Sequence, residues 1–196
     1  AGKLVWLLQN IDGLRELAQQ GHVAFGTIDS WLIWNLTQGS QHVIEVSNAS
    51  RTMLMNLETQ KWDTELLELF DIPRSVLPTI IRSDEYVANT APGLLGAEIP
   101  IAGVMGDQQS ALFGQSCFEI GTAKNTCGTG CFMLFNTGEK LQYSHNQLLT
   151  TLAWNCQNKT SYALEGSVFM AGAIVQWLRD GLGIIKNSTE VEKLAC

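Results

Sequence analysis

The residues from Ile101 to Glu139, IAGVMGDQQSALFGQSCFEIGTAKNTCGTGCFMLFNTGE, constrain this chain more than any other stretch, because the hydrophobic period changes within them. Up to about residue 115, short apolar runs alternate with helical spacing, the pattern of an α/β layer. Beyond it, apolar runs flank tight turns, the pattern of antiparallel strands. Asp107-Gln108 follows the strand-like run 99–104 at the Gly106 corner and opens a helix that runs to about Gly114. Gly128-Thr129-Gly130 then sits between the strand-like runs 121–126 and 131–136, a hairpin signal.

The remaining pattern predicts parts of two α/β domains, 1–116 and 117–196. Apolar residues at Leu4, Leu7, Leu8, Ile11, Leu14 and Leu17 predict one helix over 3–20, ended by Gly21. A second helix is expected over 27–36, with Thr27 or Asp29 as its N-cap. A strand follows over 43–46, then an amphipathic helix over 62–70 and a turn with a short helix over 72–78. Residues 48–57 fit either helix or loop, and the polar run 82–98 predicts a mobile surface segment. After the hairpin, runs 148–155 and 160–164 complete an antiparallel meander. A helix over 166–180 is then capped by Gly181.

Charge and cysteine usage narrow the function classes. Nineteen acidic against 12 basic residues leave a net charge of −7, which disfavours nucleic acid or an anionic membrane as the main partner. No apolar run reaches the roughly 18 residues of a membrane span. The five cysteines lack framework spacing. Cys127 and Cys131 have no second ligand pair, so buried free thiols in a reducing cytoplasm are expected in place of zinc. Sequons at Asn35, Asn48, Asn158 and Asn187 come without a signal peptide and read as chance. The abrupt start at Ala1-Gly2-Lys3 and the end at Leu194-Ala195-Cys196 read as those of an excerpt from a longer protein.

Several residues suggest chemistry, each with a bland alternative. Asp107 is either an N-cap that takes orphan amide protons or a general base at a strand end, where open α/β sheets bind ligands. Gln108, donor and acceptor at once, suits substrate hydroxyls. Gly128-Thr129-Gly130 is either a plain hairpin turn or a phosphate-binding one, with glycines that allow close backbone approach. Lys124 is a phosphate contact or, more often at such a position, a solvated surface lysine. Phe132 belongs to a strand core in the bland reading. Gly172 and Gln176 share one face of the expected helix, where a glycine costs roughly 1 kcal/mol against alanine and so points to close packing or a ligand plane. Neither a P-loop nor a dinucleotide fingerprint is present.

The motifs Asp107-Gln108-Gln109, Lys124-Asn125-Thr126-Cys127-Gly128-Thr129-Gly130-Cys131-Phe132, Ala163-Leu164-Glu165-Gly166 and Gln176-Trp177-Leu178-Arg179-Asp180 resemble the FGGY carbohydrate kinase family. Gly26-Thr27-Ile28-Asp29-Ser30-Trp31-Leu32-Ile33-Trp34 and Ser47-Asn48-Ala49-Ser50-Arg51-Thr52-Met53-Leu54 are similar to it as well, and the long motifs match its glycerol branch. The resemblance implies an actin-like ATPase fold of two ribonuclease-H-like domains. It implies ATP-dependent phosphorylation of glycerol to glycerol 3-phosphate in a cytoplasmic, homo-oligomeric parent, with ATP and Mg2+ as cofactors. Asp107 would accept the hydroxyl proton and approach magnesium through a bound water. Gln108 would bind a glycerol hydroxyl and Phe132 would pack on its carbon chain. Thr129 would contact the nucleotide phosphates, and Gly172 and Gln176 would line the nucleotide site. Cys127 stands where the family has tyrosine, a packing change. Within Gly93–Glu98, Glu98 replaces an arginine of the fructose 1,6-bisphosphate site, so that inhibition is not expected. The alternatives are an FGGY kinase for another polyol or sugar, and a truncated chain that only binds or interacts. On this reading the 196-residue chain alone lacks activity, since neither half of the cleft is complete.

Overall fold

The computed structural model describes residues 1–195. Its first helix, α1 (Gly2–Asn10), buries Leu4 and Leu8. The single helix expected over 3–20 is broken: Gly13 takes a left-handed φ of 74°, and α2 (Leu14–Gln19) starts in a new direction with Ala18 buried. The periodicity continues across the break because both pieces face one core. Helix α3 (Ile28–Leu36) starts after Thr27 as expected, but Thr27 makes no side-chain cap. Its hydroxyl donates to Asp29 Oδ1, while Asp29 Oδ2 accepts from the Glu45 amide at 2.8 Å.

Strand β1 (Val43–Glu45) runs into the short helix α4 (Val46–Ala49), so the ambiguous stretch resolves as helix, one 3-10 turn at 50–52, and β2 (Met55–Asn56). Strand β3 (Lys61–Trp62) pairs antiparallel with β2, so Trp62 belongs to a strand and not to the helix predicted to start there. Helix α5 (Thr64–Leu69) begins two residues later, where Asp63 accepts the Leu66 amide proton at 3.1 Å and ends the strand. Strand β4 (Thr79–Ile81) pairs parallel with β1. Residues 82–98 divide. Ser83, Thr90 and Ala91 are buried and hold β5 (Ala88–Asn89) against β6 (Pro100–Ile101), while 92–98 are exposed throughout, Glu98 included. The strand predicted over 99–104 shortens to β6 because Val104 turns away to donate its amide to Ser83. Helix α6 (Asp107–Gly114) starts where the sequence predicts.

The C-terminal half is a four-stranded antiparallel sheet of β7 (Ala123–Cys127), β8 (Cys131–Gly138), β9 (Leu149–Cys156) and β10 (Lys159–Val168). Its order is β7-β8-β10-β9, not the expected meander. The loop after β8 carries the chain past the neighbouring lane, and the β9–β10 hairpin then folds β10 back against β8. The helix predicted over 166–180 is shorter. Gly166, Ser167 and Val168 finish β10, and α7 (Gly172–Gln176) continues as a π-helical turn over Trp177–Gly181. The left-handed residue that ends it is Gly183, φ 65°, and not Gly181. Helix α8 (Glu190–Ala195) closes the described chain. Among the described residues, no helix is long and apolar enough to cross a membrane.

The largest core joins α1, α2, α4 and α5 to the sheet through Leu8, Val46, Leu54, Trp62, Leu152 and Tyr162. A second core joins α6 to the sheet through Leu112, Leu134, Trp154 and Ala163. Between them lies a fully buried carboxylate, Glu45. Its Oε2 accepts from the Ser47 hydroxyl and, at 3.2 Å each, from the Asn48 backbone and side-chain amides; its Oε1 accepts from the Ser83 hydroxyl at 2.5 Å. Ser83 in turn accepts the Asn155 amide of β9 at 3.0 Å, and Ser47 accepts the Gly106 amide at 3.0 Å. Burial raises the Glu45 pKa, and the hydrogen bonds oppose that rise.

Replacing Glu45 with Gln turns an amide donor toward groups that already donate, and should cost about 1–3 kcal/mol in urea denaturation at neutral pH. A raised folded pKa means that the folded chain holds the proton more tightly than the unfolded chain. The contribution of Glu45 is therefore full below the ordinary carboxylate range and declines as pH rises through the folded value. Glu45→Gln should lack that decline; a wild-type profile parallel to that of the variant would refute the assignment.

Candidate functional site

The corner that presents Asp107 is built from below. Gly106 occupies the N-cap position with φ −60° and ψ 150°, and makes no side-chain cap. Its amide is held by Ser47, and thus through Ser47 by Glu45. Asp107 is the first helical residue and not the N-cap, although its carboxylate does take one first-turn amide proton. Its Oδ1 takes the Gln108 backbone proton at 2.8 Å, and Oδ2 takes a proton from the Gln108 side-chain amide at 3.3 Å. Gln109, the buried neighbour, donates to the Leu152 carbonyl at 3.4 Å and locks α6 to β9. The carboxylate itself stays exposed.

Lys124 is where sequence reasoning failed most. Expected to be solvated, it is 1% exposed on β7. Its ammonium donates to Gln108 Oε1, to Thr126 Oγ1 at 3.0 Å and to the Phe132 carbonyl at 3.1 Å. Burial lowers its pKa, and the charges of Asp107 and Glu165 work against that. Glu165, also buried, is held by the Arg51 guanidinium at 2.8 and 3.1 Å. The Gln108 side chain is thus fixed at both ends, with its oxygen on Lys124 and its amide nitrogen on Asp107. The sequence-level signal for this was a lysine at a strand position otherwise bound for the interior.

Phe132 is half-buried on β8, opposite Thr126, with its ring edge toward Phe169 at a centroid distance of 6.5 Å. Asp107, Gln108 and Phe132 are therefore gathered around Lys124. Thr129 and Gly172 form a second group. The Thr129 carbonyl accepts the amides of Ala171 and Ala173 at 2.8 and 3.1 Å, and the Gly128 carbonyl accepts that of Gly172 at 3.0 Å. A β-carbon on Gly172 would stand 2.6 Å from the Gly128 oxygen, and one on Gly130 would stand 2.6 Å from the Val168 oxygen. Both are backbone-to-backbone contacts that admit no side chain. Gln176 is exposed one turn beyond Gly172 on α7. The two groups are joined by one hairpin, β7–β8, whose strand holds Lys124 and whose turn holds Thr129.

Among the described residues, no cluster of three or more His, Cys, Asp or Glu side chains could hold a metal ion by itself. The thiols also differ from expectation: Cys117 is buried, but Cys127 is exposed and Cys131 and Cys156 are half-buried. A separate cavity of about 210 Å³, lined by Phe25, Thr27, Ser30, Trp31, Trp34 and His42, includes none of the nominated residues.

Residues 1–114 match the model of the N-terminal domain of the FGGY family of carbohydrate kinases, and residues 123–195 match that of its C-terminal domain. A glycerol kinase of Acinetobacter baylyi is 75% identical over 195 residues, and one of Deinococcus radiodurans 60% over 193. The matches cover 100% and 98% of this chain but 39% and 38% of those proteins, so the chain spans about two fifths of the length of these curated relatives. A Plasmodium falciparum glycerol kinase solved with ADP superposes with a TM-score of 0.89 at 41% identity, over 96% of this chain and 38% of that one. A Rhodospirillum rubrum xylulose kinase superposes at 0.79 with 16% identity, over 98% of this chain and 38% of that one, a likeness of fold alone. With the two family models matched in order along nearly its whole length, the chain belongs to the FGGY family of carbohydrate kinases.

Proposed function

We propose that this chain carries the central part of a glycerol kinase, which transfers the γ-phosphoryl group of ATP to glycerol and gives sn-glycerol 3-phosphate. The observation that carries the reading is its high identity, along essentially its whole length, to bacterial glycerol kinases. The geometry supports it. Asp107 is an exposed carboxylate whose hydrogen bonds, among the described residues, come only from Gln108, so it is free to accept the proton of the attacking hydroxyl. Gln108, held by Lys124, orients a glycerol hydroxyl, and Phe132 offers an apolar face to the carbon chain. Thr129 approaches the phosphates, and Gly172 and Gln176 line the nucleotide site. Phosphoryl transfer needs mostly positioning and charge stabilisation, which is what a rigidly held acid–amide pair and a close-packed glycine turn supply.

Magnesium fits as a hydrated ion that Asp107 would hold through water, since one free carboxylate with no acid cluster suits an ion that keeps its waters and takes phosphate oxygens; bound, it neutralises charge on the phosphates. In the same reading residues 1–116 belong to a substrate domain and 117–196 to a nucleotide domain, each ribonuclease-H-like, in a cytoplasmic homo-oligomer. Lys124 is the element that joins the two domains at the site.

In the longer protein, Asp107→Asn should lower kcat by about 10²–10⁴-fold with an unchanged thermal melt. Near-normal turnover by that variant would remove Asp107 from its role, and preference for another polyol in a substrate panel would move the reading to a sister kinase. Lys124→Met should lower kcat/KM for glycerol by about 10–100-fold, the loss of charged hydrogen bonds that fix Gln108, with little change in KM for ATP. The 196-residue chain by itself should show no glycerol-dependent ATP consumption; clear turnover would mean that its cleft is already sufficient.

A further inference from the structure

Two thiols bracket the Gly128-Thr129-Gly130 turn. Cys127 ends β7 and Cys131 starts β8, and the two are direct partners in the strand register. The Cys131 S–H donates to the Cys127 sulfur at 3.2 Å, and the Asn125 side-chain amide donates to the same sulfur at 3.3 Å. Cys127 is exposed and Cys131 half-buried, so a small oxidant reaches the first and the second stands behind it. Directly opposed residues of antiparallel strands have α-carbons about 4.5–5.5 Å apart, inside the range of about 4.4–6.8 Å that a disulfide spans. Bond formation needs the two sulfurs to approach by only about 1.2 Å.

The other described thiols have no such arrangement. Cys117 is buried and faces the Gln115 carbonyl at 3.8 Å. Cys156 is half-buried, its thiol pKa pushed up chiefly by burial. In the bracketing pair the hydrogen bond to Cys127 is the main cause that raises the Cys131 thiol, so Cys131 keeps its proton while it donates to Cys127.

We propose that Cys127 and Cys131 are a redox-active dithiol, oxidised by a low-molecular-weight disulfide such as glutathione disulfide to an intrachain disulfide across the Gly128-Thr129-Gly130 turn. Cys127 gives up its proton to solvent as its sulfur attacks one sulfur of the glutathione disulfide; that S–S bond breaks and the departing glutathione thiolate takes up a proton. Cys131 then loses its proton and attacks the Cys127 sulfur of the mixed disulfide, expelling a second glutathione thiolate, which is protonated in turn. Two protein thiols are oxidised and one glutathione disulfide is reduced to two glutathiones. The bridge closes a small ring around a turn whose carbonyls hold the start of α7, and its exposed Cys127 sulfur leaves it open to reduction.

The test uses the 196-residue chain in glutathione redox buffers, quenched by alkylation and mapped by peptide mass spectrometry. Expected is a two-hydrogen mass loss located to a Cys127–Cys131 link, reversed by dithiothreitol, while Cys117 and Cys156 remain open to alkylation after unfolding. Cys131→Ser should stop at a glutathione adduct on Cys127. Cys127→Ser should slow glutathione addition at Cys131 by about tenfold or more. The proposal is overturned if both sulfurs carry glutathione without bridging, or if Cys117 or Cys156 reacts as fast. It is also overturned if the link forms equally fast in the chain unfolded by urea. None of these outcomes depends on kinase activity, so the reading of function stands or falls separately.

Discussion

The structure is organised around a carboxylate that water does not reach. Glu45 ends β1, and a buried carboxyl there is tolerable only if its oxygens are surrounded by donors. Those donors come from α4 and from the bend at Ser83, and the same hydroxyls are acceptors for the next layer, Gly106 before α6 and Asn155 on β9. One residue therefore sets the position of a strand end, a helix start and an edge of the four-stranded sheet. The backbone amide of Glu45 also binds Asp29, which extends the network to α3. Hydrophobic packing supplies most of the stabilisation, but it is not directional. The hydrogen bonds from Glu45 are, and they fix where the Gly106-Asp107 corner points.

Lys124 repeats the principle with the opposite sign. An ammonium has donors only, so when buried it must be met by acceptors, and here those are an amide oxygen, a hydroxyl and a backbone carbonyl. The arrangement leaves Gln108 no freedom to exchange its two ends, because its oxygen faces a cation and its nitrogen an anion. The desolvation of Lys124 is offset in part by the fields of Asp107 and Glu165, and Glu165 is in turn held by Arg51. Two buried charges from the sheet and one arginine from the segment after α4 thus meet behind the acid–amide pair.

What the sequence revealed of this was its local part. The start of α6 at Asp107 and the hairpin at Gly128-Thr129-Gly130 depend on neighbours within a few residues, and both stand where the pattern put them. The errors came from interactions between distant residues. Lys124 looked like a surface lysine because its partner Gln108 belongs to another element. The helix is shorter than its pattern over 166–180 because Gly166-Ser167-Val168 are committed to β10 by pairing with residues 131–133. The sheet order differs from a meander because β10, which the tight Gln157-Asn158 turn pairs with β9, also pairs with β8 across a long loop, and that remote pairing has no local signal. The Glu45 network had no local signal, since glutamate at the end of a short strand is ordinary in sequence and exceptional only when buried.

The turn also bears on how phosphate is to be held in the proposed reaction. A helix that starts beside a phosphate is usually credited with binding through its free N–H groups and dipole. At α7 those groups are taken: the amides of Ala171, Gly172 and Ala173 donate to the carbonyls of Gly128 and Thr129. Only five residues of α-helix follow before the π turn, so little macrodipole accumulates there. On the proposed reading, what this hairpin offers a phosphate is the turn and not the helix: the Thr129 hydroxyl and the amides on the far side of the braced peptides. The helix contributes as a brace, because its amides keep the carbonyls of the turn facing inward and so orient the opposite side of the same peptides outward. Gly172 is needed for that bracing, since a side chain there would strike the Gly128 oxygen and lift the turn from its support.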